Sequence, residues 1–356
     1  MKLVWFLLFT LVLVSCKKGE IQPYAKPYEL DEPSHFPKMA IPLDNLLTEQ
    51  GVELGRRLFY DKRLSGDNSM SCAACHSPQS SFSDGNQFSI GIDGLAGTRQ
   101  SMALVNLGYQ KFFFWDGRAK SLEEQILEPV PNPIEMHQSW KDAINKLKTD
   151  DSYRKEFHAA FGADDMDEYQ VVKAIAQFLR TMISGSSKYD VIYKNSNGLN
   201  LSPKEQVLFS TVTNEEKAGY DLFLSLNGGD CVHCHSGPLM QLNIFANNGL
   251  DATFSDKGKG CVTGKPQDMG MFKVPTLRNI AQSAPYMHDG RFQTLDEVIE
   301  HYSSGIVMSP TISPSIEFAS QGGVQLDAFE KGLIKKFLLT LTDEEFLENP
   351  KFAPPN

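Results

Sequence analysis

Basic charge, cysteine free to form disulfides and long apolar runs are all scarce in this chain of 356 residues. Its 34 Lys and Arg stand against 44 Asp and Glu, a net charge of −10, which excludes a protein built to hold nucleic acid by electrostatics. Of six cysteines, four fall in two Cys-x-x-Cys-His pentapeptides, Cys16 closes an N-terminal apolar run, and only Cys261 is left over. One remaining thiol cannot make an internal disulfide, so the fold is not stapled by such bridges. The apolar run, Leu3 to Val14 with Thr10 as its one polar residue, is too short for a permanent membrane span.

That run follows Met1-Lys2 and reads as an export signal over residues 1–15. It ends Leu13-Val14-Ser15-Cys16, which resembles a bacterial lipobox, so Cys16 is expected to carry lipid and to be the first residue of the mature protein. Several acyl chains make a firm anchor, so the expected location is periplasmic, held to a membrane by lipid alone. Residues 16–45, rich in Pro and charge, read as the tether.

What the chain does contain is two copies of one pentapeptide, Cys72-Ala73-Ala74-Cys75-His76 and Cys231-Val232-His233-Cys234-His235. Cys-x-x-Cys-His specifies covalent c-type haem: the thiols add to the porphyrin vinyl groups and the His ligates the iron. A single copy could serve as a redox dithiol, and a zinc site would need its four ligands in one cluster, whereas each pentapeptide already supplies a complete haem attachment. Two separate pentapeptides in an exported chain point to two haems, on Cys72, Cys75 and His76 and on Cys231, Cys234 and His235.

The halves repeat beyond those motifs. Asp116-Gly117-Arg118 leads into Ser121-Leu122-Glu123-Glu124-Gln125-Ile126, and Asp289-Gly290-Arg291 leads at the same spacing into Thr294-Leu295-Asp296-Glu297-Val298-Ile299. Ser121 with Glu124, and Thr294 with Glu297, are capping boxes that start helices. Leu104 and Asn106 precede Trp115 as Leu277 and Asn279 precede His288. A Gly-x-x-Leu-Phe segment precedes each pentapeptide, Gly55 to Phe59 and Gly219 to Phe223. Each half closes on an amphipathic helix, with Val172, Ile175, Phe178, Leu179 and Met182 in one and Leu333, Ile334, Phe337, Leu338 and Leu341 in the other. The expected fold is mainly α, two tandem cytochrome c-like domains over residues 46–200 and 201–345 with one covalent haem each, then a tail over 346–356. The polar stretch around 185–204 is expected to be a linker, and 241–272 a loop with little regular structure.

In a cytochrome c domain the second axial ligand lies after the Cys-x-x-Cys-His motif. With Trp115 set opposite His288, the residue 14 positions later is Pro129 in one half and Tyr302 in the other. Proline offers no side-chain donor and tyrosine can ligate iron, so one haem reads as open and the other as closed. His301, Met287 and Met308 are rivals to Tyr302; adjacent helical residues point about 100° apart, so His301 and Tyr302 cannot both ligate. His35, His137 and His158 belong to no motif and are expected at the surface.

Phe114-Trp115-Asp116-Gly117-Arg118, then Gln125, Pro129, Asn132-Pro133-Ile134-Glu135-Met136 and Pro285-Tyr286-Met287-His288-Asp289-Gly290-Arg291 resemble the bacterial di-haem cytochrome c peroxidase family, MauG-like branch. The resemblance covers roughly residues 45–345. It implies Glu135 as the proton shuttle at the first haem, Gln125 as the residue that places the peroxide, and Trp115 as the relay between haems. His288, opposite Trp115 in the repeat, should lie near a haem edge or between the domains. It also implies a calcium on Gln100, Ser283 and Pro285, where the family has Asn at the first position.

Two departures stand out. Ser89-Ile90-Gly91-Ile92 replaces a Ser-Ile-Gly-His whose His blocks the peroxide site in many members, so the resting site should be open. Tyr302 stands where those members have Met, as in MauG. The function implied is reduction of hydrogen peroxide to water with electrons from a small cytochrome c or copper protein. The alternative is a MauG-like oxidase that modifies a partner protein through a high-valent di-haem state. A lipid-anchored di-haem electron carrier is the third, and Pro129 with Ile92 argues against it.

Overall fold

A computed structural model describes residues 25–162 and 165–355; the leader and Cys16 lie outside the described residues. Twelve α-helices form among them: α1 (Glu49–Phe59), α2 (Leu122–Leu127), α3 (Trp140–Lys148), α4 (Asp151–Phe161), α5 (Glu168–Arg180), α6 (Lys188–Ser196), α7 (Pro203–Ser210), α8 (Asn214–Leu224), α9 (Lys259–Thr263), α10 (Leu295–Ser304), α11 (Ala328–Leu339) and α12 (Glu344–Leu347). The segment 241–272 has little regular structure, as expected: it holds the short helix α9 and strand β1 (Phe245–Ala246), which pairs antiparallel with β2 (Phe272–Lys273). Among the described residues no helix is long and apolar enough to cross a membrane.

Two helix pairs frame the protein, α1 on α5 and α8 on α11. The repeated glycines explain how closely they cross. A Cβ on Gly55 would stand 1.9 Å from the Ala174 carbonyl oxygen, and one on Gly219 2.1 Å from that of Leu333. No side chain fits in those gaps, so glycine is required at both. The Asp-Gly-Arg turns match as well, with Gly117 at φ +70° and Gly290 at φ +63°. Asn106 and Asn279 both adopt the left-handed conformation and head short 3₁₀ turns.

The helix starts differ in one detail. Thr294 and Glu297 form the full capping box of α10, each binding the other's backbone N–H. At α2, Ser121 Oγ accepts from the Glu124 N–H at 3.1 Å, but the Glu124 carboxylate reaches back to the Lys120 N–H at 2.7 Å.

Two cores result, one holding the α1/α5 pair and one the α8/α11 pair. The chain does not divide between them where the sequence suggests. Within the stretch read as a linker, α6 sends Tyr189, Val191 and Ile192 into the second core. At the other end, Phe346 and Phe352 return to the first core, and Arg56 Nε donates to the Ala353 carbonyl at 2.8 Å. The described part of the tether is packed too. Phe36 and Met39 join Tyr109 and Leu239 in a third cluster that braces both halves. His35, expected at the surface, has its side chain buried: its Nε2 lies 2.6 Å from Asp190 Oδ1, and Arg278 grips the same carboxylate with bonds of 2.6 and 2.7 Å. A buried guanidinium needs such a partner, and the pairing pulls the N-terminal segment inward.

Candidate haem sites and the wall between them

The two pentapeptides fold alike. Each begins a 3₁₀ turn, Cys72–Ala74 and Cys231–His233, which sets the first and fourth residues on one side. His76 N–H donates to the Cys72 carbonyl at 3.1 Å, and His235 N–H to that of Cys231 at 2.9 Å. The imidazoles are oriented alike as well: Nδ1 faces the Phe82 carbonyl at 2.9 Å in the first and the Met240 carbonyl at 3.3 Å in the second. A carbonyl carries no hydrogen, so Nδ1 is the donor and Nε2 is the nitrogen that a haem iron would use. Burial lowers both pKa values, that of His235 to about 4, so the rings are neutral at pH 7 as a ligand must be.

Burial pushes the Cys72 and Cys231 thiols up to about 12, and it raises Cys75 and Cys234 as well. Reactive dithiols have the opposite shift, towards thiolate. Among the described residues no group of three or more His, Cys, Asp and Glu is placed to hold a metal ion. Paired protonated thiols beside a neutral histidine oriented through Nδ1 fit a haem, and they do not fit a zinc cluster or an exchange dithiol.

A cavity of about 240 Å³ opens in front of the second pentapeptide, lined by Cys231, Cys234 and His235 and by Leu277, Ile280 and Tyr302. Tyr302 is therefore in the same cavity as His235. Its Oη accepts from Asn248 Nδ2 at 3.2 Å, and the same amide donates to Met287 Sδ at 3.4 Å. Burial raises the Tyr302 phenol to about 12, with Asn248 pulling the other way because an N–H donor favours phenolate. Of the rivals, Met287 lines the cavity, Met308 is exposed, and His301 Nε2 is engaged with the Asn248 carbonyl at 3.0 Å.

At the first pentapeptide Glu135 is half-buried, and its Oε1 accepts from Asn132 Nδ2 at 2.7 Å. Burial raises its carboxyl above the ordinary range, with Asn132 and Arg118 opposing. Burial is the main cause of the raised Cys72 and Cys75 thiols, and the Glu135 charge adds to it in the same direction. The Ile92 N–H donates to the Glu135 carbonyl at 2.9 Å. A Cβ on the preceding Gly91 would stand 2.2 Å from the Ile134 carbonyl oxygen, so this loop is pressed onto the Asn132–Glu135 turn. Gln125 lies on α2 and Pro129 just beyond it, both half-buried.

The wall between the halves joins the two repeat-equivalent residues. Trp115 Nε1 donates to the Gln100 carbonyl at 2.8 Å, and the Gln100 N–H donates to the His288 carbonyl at 2.8 Å. His288 stacks on Phe272 with ring centres 3.7 Å apart. Trp115, His288, Gln100, Ser283 and Pro285 all line the cavity that holds Tyr302. Gln100 donates its Nε2 hydrogen to Ser83 Oγ at 2.8 Å, which leaves its amide oxygen as the donor a calcium would use.

Sequence reasoning missed Asn248, Ser101 and Lys273. Ser101 Oγ donates to the Cys75 carbonyl at 3.0 Å and lies 3.4 Å from His76 Nδ1. Asn248 sits in a Gly- and Asn-rich stretch with no motif. Lys273 carried a signal, a lone charge in the apolar run Met271-Phe272-Lys273-Val274-Pro275.

Residues 49–198 match the family described as di-haem cytochrome c peroxidase. Curated relatives include the methylamine utilization protein MauG of Methylophilus methylotrophus, 31% identical over 78% of this chain and 79% of its own. The cytochrome c551 peroxidase of Nitrosomonas europaea is 33% identical over 86% of this chain and 84% of its own. Among solved structures, a MauG-like protein associated with microbial copper homeostasis superposes with a TM-score of 0.82 at 33% identity, covering 92% of this chain and 99% of that one.

Proposed function

The chain belongs to the di-haem cytochrome c peroxidase family and is a peroxidase-type oxidoreductase, and from that premise we propose that it reduces hydrogen peroxide to water at the first pentapeptide. Two electrons from a small cytochrome c or copper protein would enter at the second. The observation that carries the reading is the half-buried Glu135 carboxyl, oriented by Asn132 on the turn against which the Gly91-Ile92 loop is pressed. Bound there through thioether bonds, haem would supply the iron that takes peroxide and passes it electrons.

The chain's own residues then handle protons and access. Glu135 would take a proton from one peroxide oxygen and return it to the other, so that peroxide, two electrons and two protons give two waters. A carboxyl held above its ordinary pKa by burial exchanges that proton near neutral pH more readily than a solvated one. Gln125 offers an amide to position the peroxide. Ile92 has no atom that binds iron, so the site is open at rest. Trp115, hydrogen-bonded to the Gln100 carbonyl on the inter-domain wall, carries electrons between the halves.

Tyr302 favours a second reading, oxidation of a partner protein in the manner of MauG. Its oxygen receives a hydrogen bond from Asn248, which supports phenolate ligation at the iron on His235. An anionic oxygen ligand stabilises oxidised iron and suits a site that must hold oxidising equivalents. Calcium on Gln100, Ser283 and Pro285, a lipid on Cys16 and a periplasmic location belong to the same proposal.

The test is peroxide-dependent oxidation of a reduced small cytochrome c by the ferric protein as isolated. Turnover without pre-reduction supports the peroxidase. Negligible turnover, with peroxide still shifting the haem spectrum, favours the partner-protein oxidase; no response of either kind refutes both. Haem that stays with the chain on a denaturing gel checks covalent attachment.

A further inference from the structure

Four Lys or Arg side chains are buried among the described residues: Arg180, Lys194, Lys273 and Arg278. Three of them are neutralised. Arg180 pairs with Glu123 at 2.7 Å, Lys194 with Glu205 at 2.8 Å, and Arg278 with Asp190 at 2.6 Å. Lys273 differs. It is 4% exposed, and among the described residues no carboxylate lies within ion-pair distance of its Nζ. Its partner is a neutral amide, Gln110 Oε1, at 2.5 Å. Burial alone pulls the ammonium down to about 7, with no acid raising it.

A buried cation with no counter-charge is a costly arrangement, and chains tolerate it where a bound group supplies the missing anion. Lys273 stands on the wall of the cavity that contains Cys231, Cys234, His235 and Tyr302. Its backbone is fixed from both sides: the Lys273 N–H donates to the Trp115 carbonyl at 2.7 Å, and Lys273 pairs with Phe245 across the two-stranded sheet. The strand at Lys273 is thus fixed beside Trp115, and Nζ is held by Gln110, which lines the same cavity.

We propose that Lys273 is the counter-ion of a carboxylate on the cavity's ligand, a propionate of the porphyrin held by Cys231, Cys234 and His235. The ion pair fixes that edge of the macrocycle against the strand bonded to Trp115. This rests on the reading of the cavity as a haem site. Lys273 is a positioning residue here, and its charge also sets how easily the iron is reduced.

The experiment compares wild type, Lys273→Met and Lys273→Arg as holoproteins, with haem counted per chain and the potential of the second haem titrated in alkaline buffer, where an unpaired carboxyl stays ionised. Removing the positive charge favours the ferric state. In Lys273→Met the reduction equilibrium is expected to fall about ten-fold, about 59 mV for one electron, while Lys273→Arg stays near wild type. Two haems per chain and an unchanged potential in Lys273→Met would overturn the proposal alone. A single haem per wild-type chain would overturn the cofactor reading beneath it. Should Lys273→Met lose haem, Lys273→Gln, one atom shorter, keeps a donor without charge, and the same drop is required of it.

Discussion

Glu135→Gln isolates proton transfer from packing. The Asn132 bond ends on Oε1, and glutamine retains an oxygen there, so the 2.7 Å contact survives the change. Nothing in the described contacts of Glu135 requires a negative charge, because Arg118 is already engaged by Asp116 and Glu128. The variant therefore keeps its fold and haem and loses only a group able to hold the shuttled proton. General acid–base catalysis of this kind contributes about 10²- to 10⁴-fold, or about 3–5 kcal/mol of barrier at about 1.4 kcal/mol per factor of ten. The assay is kcat/KM for peroxide with a reduced small cytochrome c, on protein whose haem content and resting spectrum match wild type. A fall within that range, with the acid limb of the pH profile abolished, is expected. Retention of activity within about three-fold would refute the role of Glu135.

Asn132→Ala removes the donor that favours ionised Glu135, so the acid limb of activity should move to higher pH, and a pH–rate profile reads it directly. Tyr302→Phe keeps the ring and deletes the oxygen that Asn248 contacts; the resting spectrum and potential of the second haem should both change, and an unchanged spectrum would exclude Tyr302 as ligand. Gly219→Ala forces a Cβ to 2.1 Å from the Leu333 carbonyl, so α8 and α11 must part, at a cost of at least about 1–3 kcal/mol in thermal or denaturant unfolding. Asp190→Ala strands buried Arg278 and His35 and should cost about 3–5 kcal/mol. Arg278 and His35 outweigh burial and hold the Asp190 carboxyl below its ordinary range, so its contribution is fully present above about pH 4 and fades as the pH falls further, which acid unfolding of wild type against variant would show.

The parts legible in the sequence are those whose chemistry is local. A Cys-x-x-Cys-His pentapeptide carries its own turn, and Thr294 with Glu297 caps a helix whatever lies elsewhere. Repetition added the paired glycines, since Gly55 and Gly219 answer the same steric demand twice. What escaped depends on partners far along the chain. His35 meets Asp190 across 155 residues, and Asn248 reaches Met287 and Tyr302 across 39 and 54. No periodicity announces such pairs. Tyr189, Val191 and Ile192 sit in a polar neighbourhood, so α6 read as a linker until the second core gave those side chains a place.

The return of the chain's last residues to the first core bears on how the protein is made. Phe346 and Phe352 lie against Phe82, with ring centres 5.8 and 6.3 Å away. The carbonyl of Phe82 is the acceptor that orients His76. A polypeptide emerges N-terminus first, so the residues that back Phe82 and His76 arrive only after both pentapeptides have been made. A chain cut short after the second pentapeptide would leave the His76 imidazole without that support.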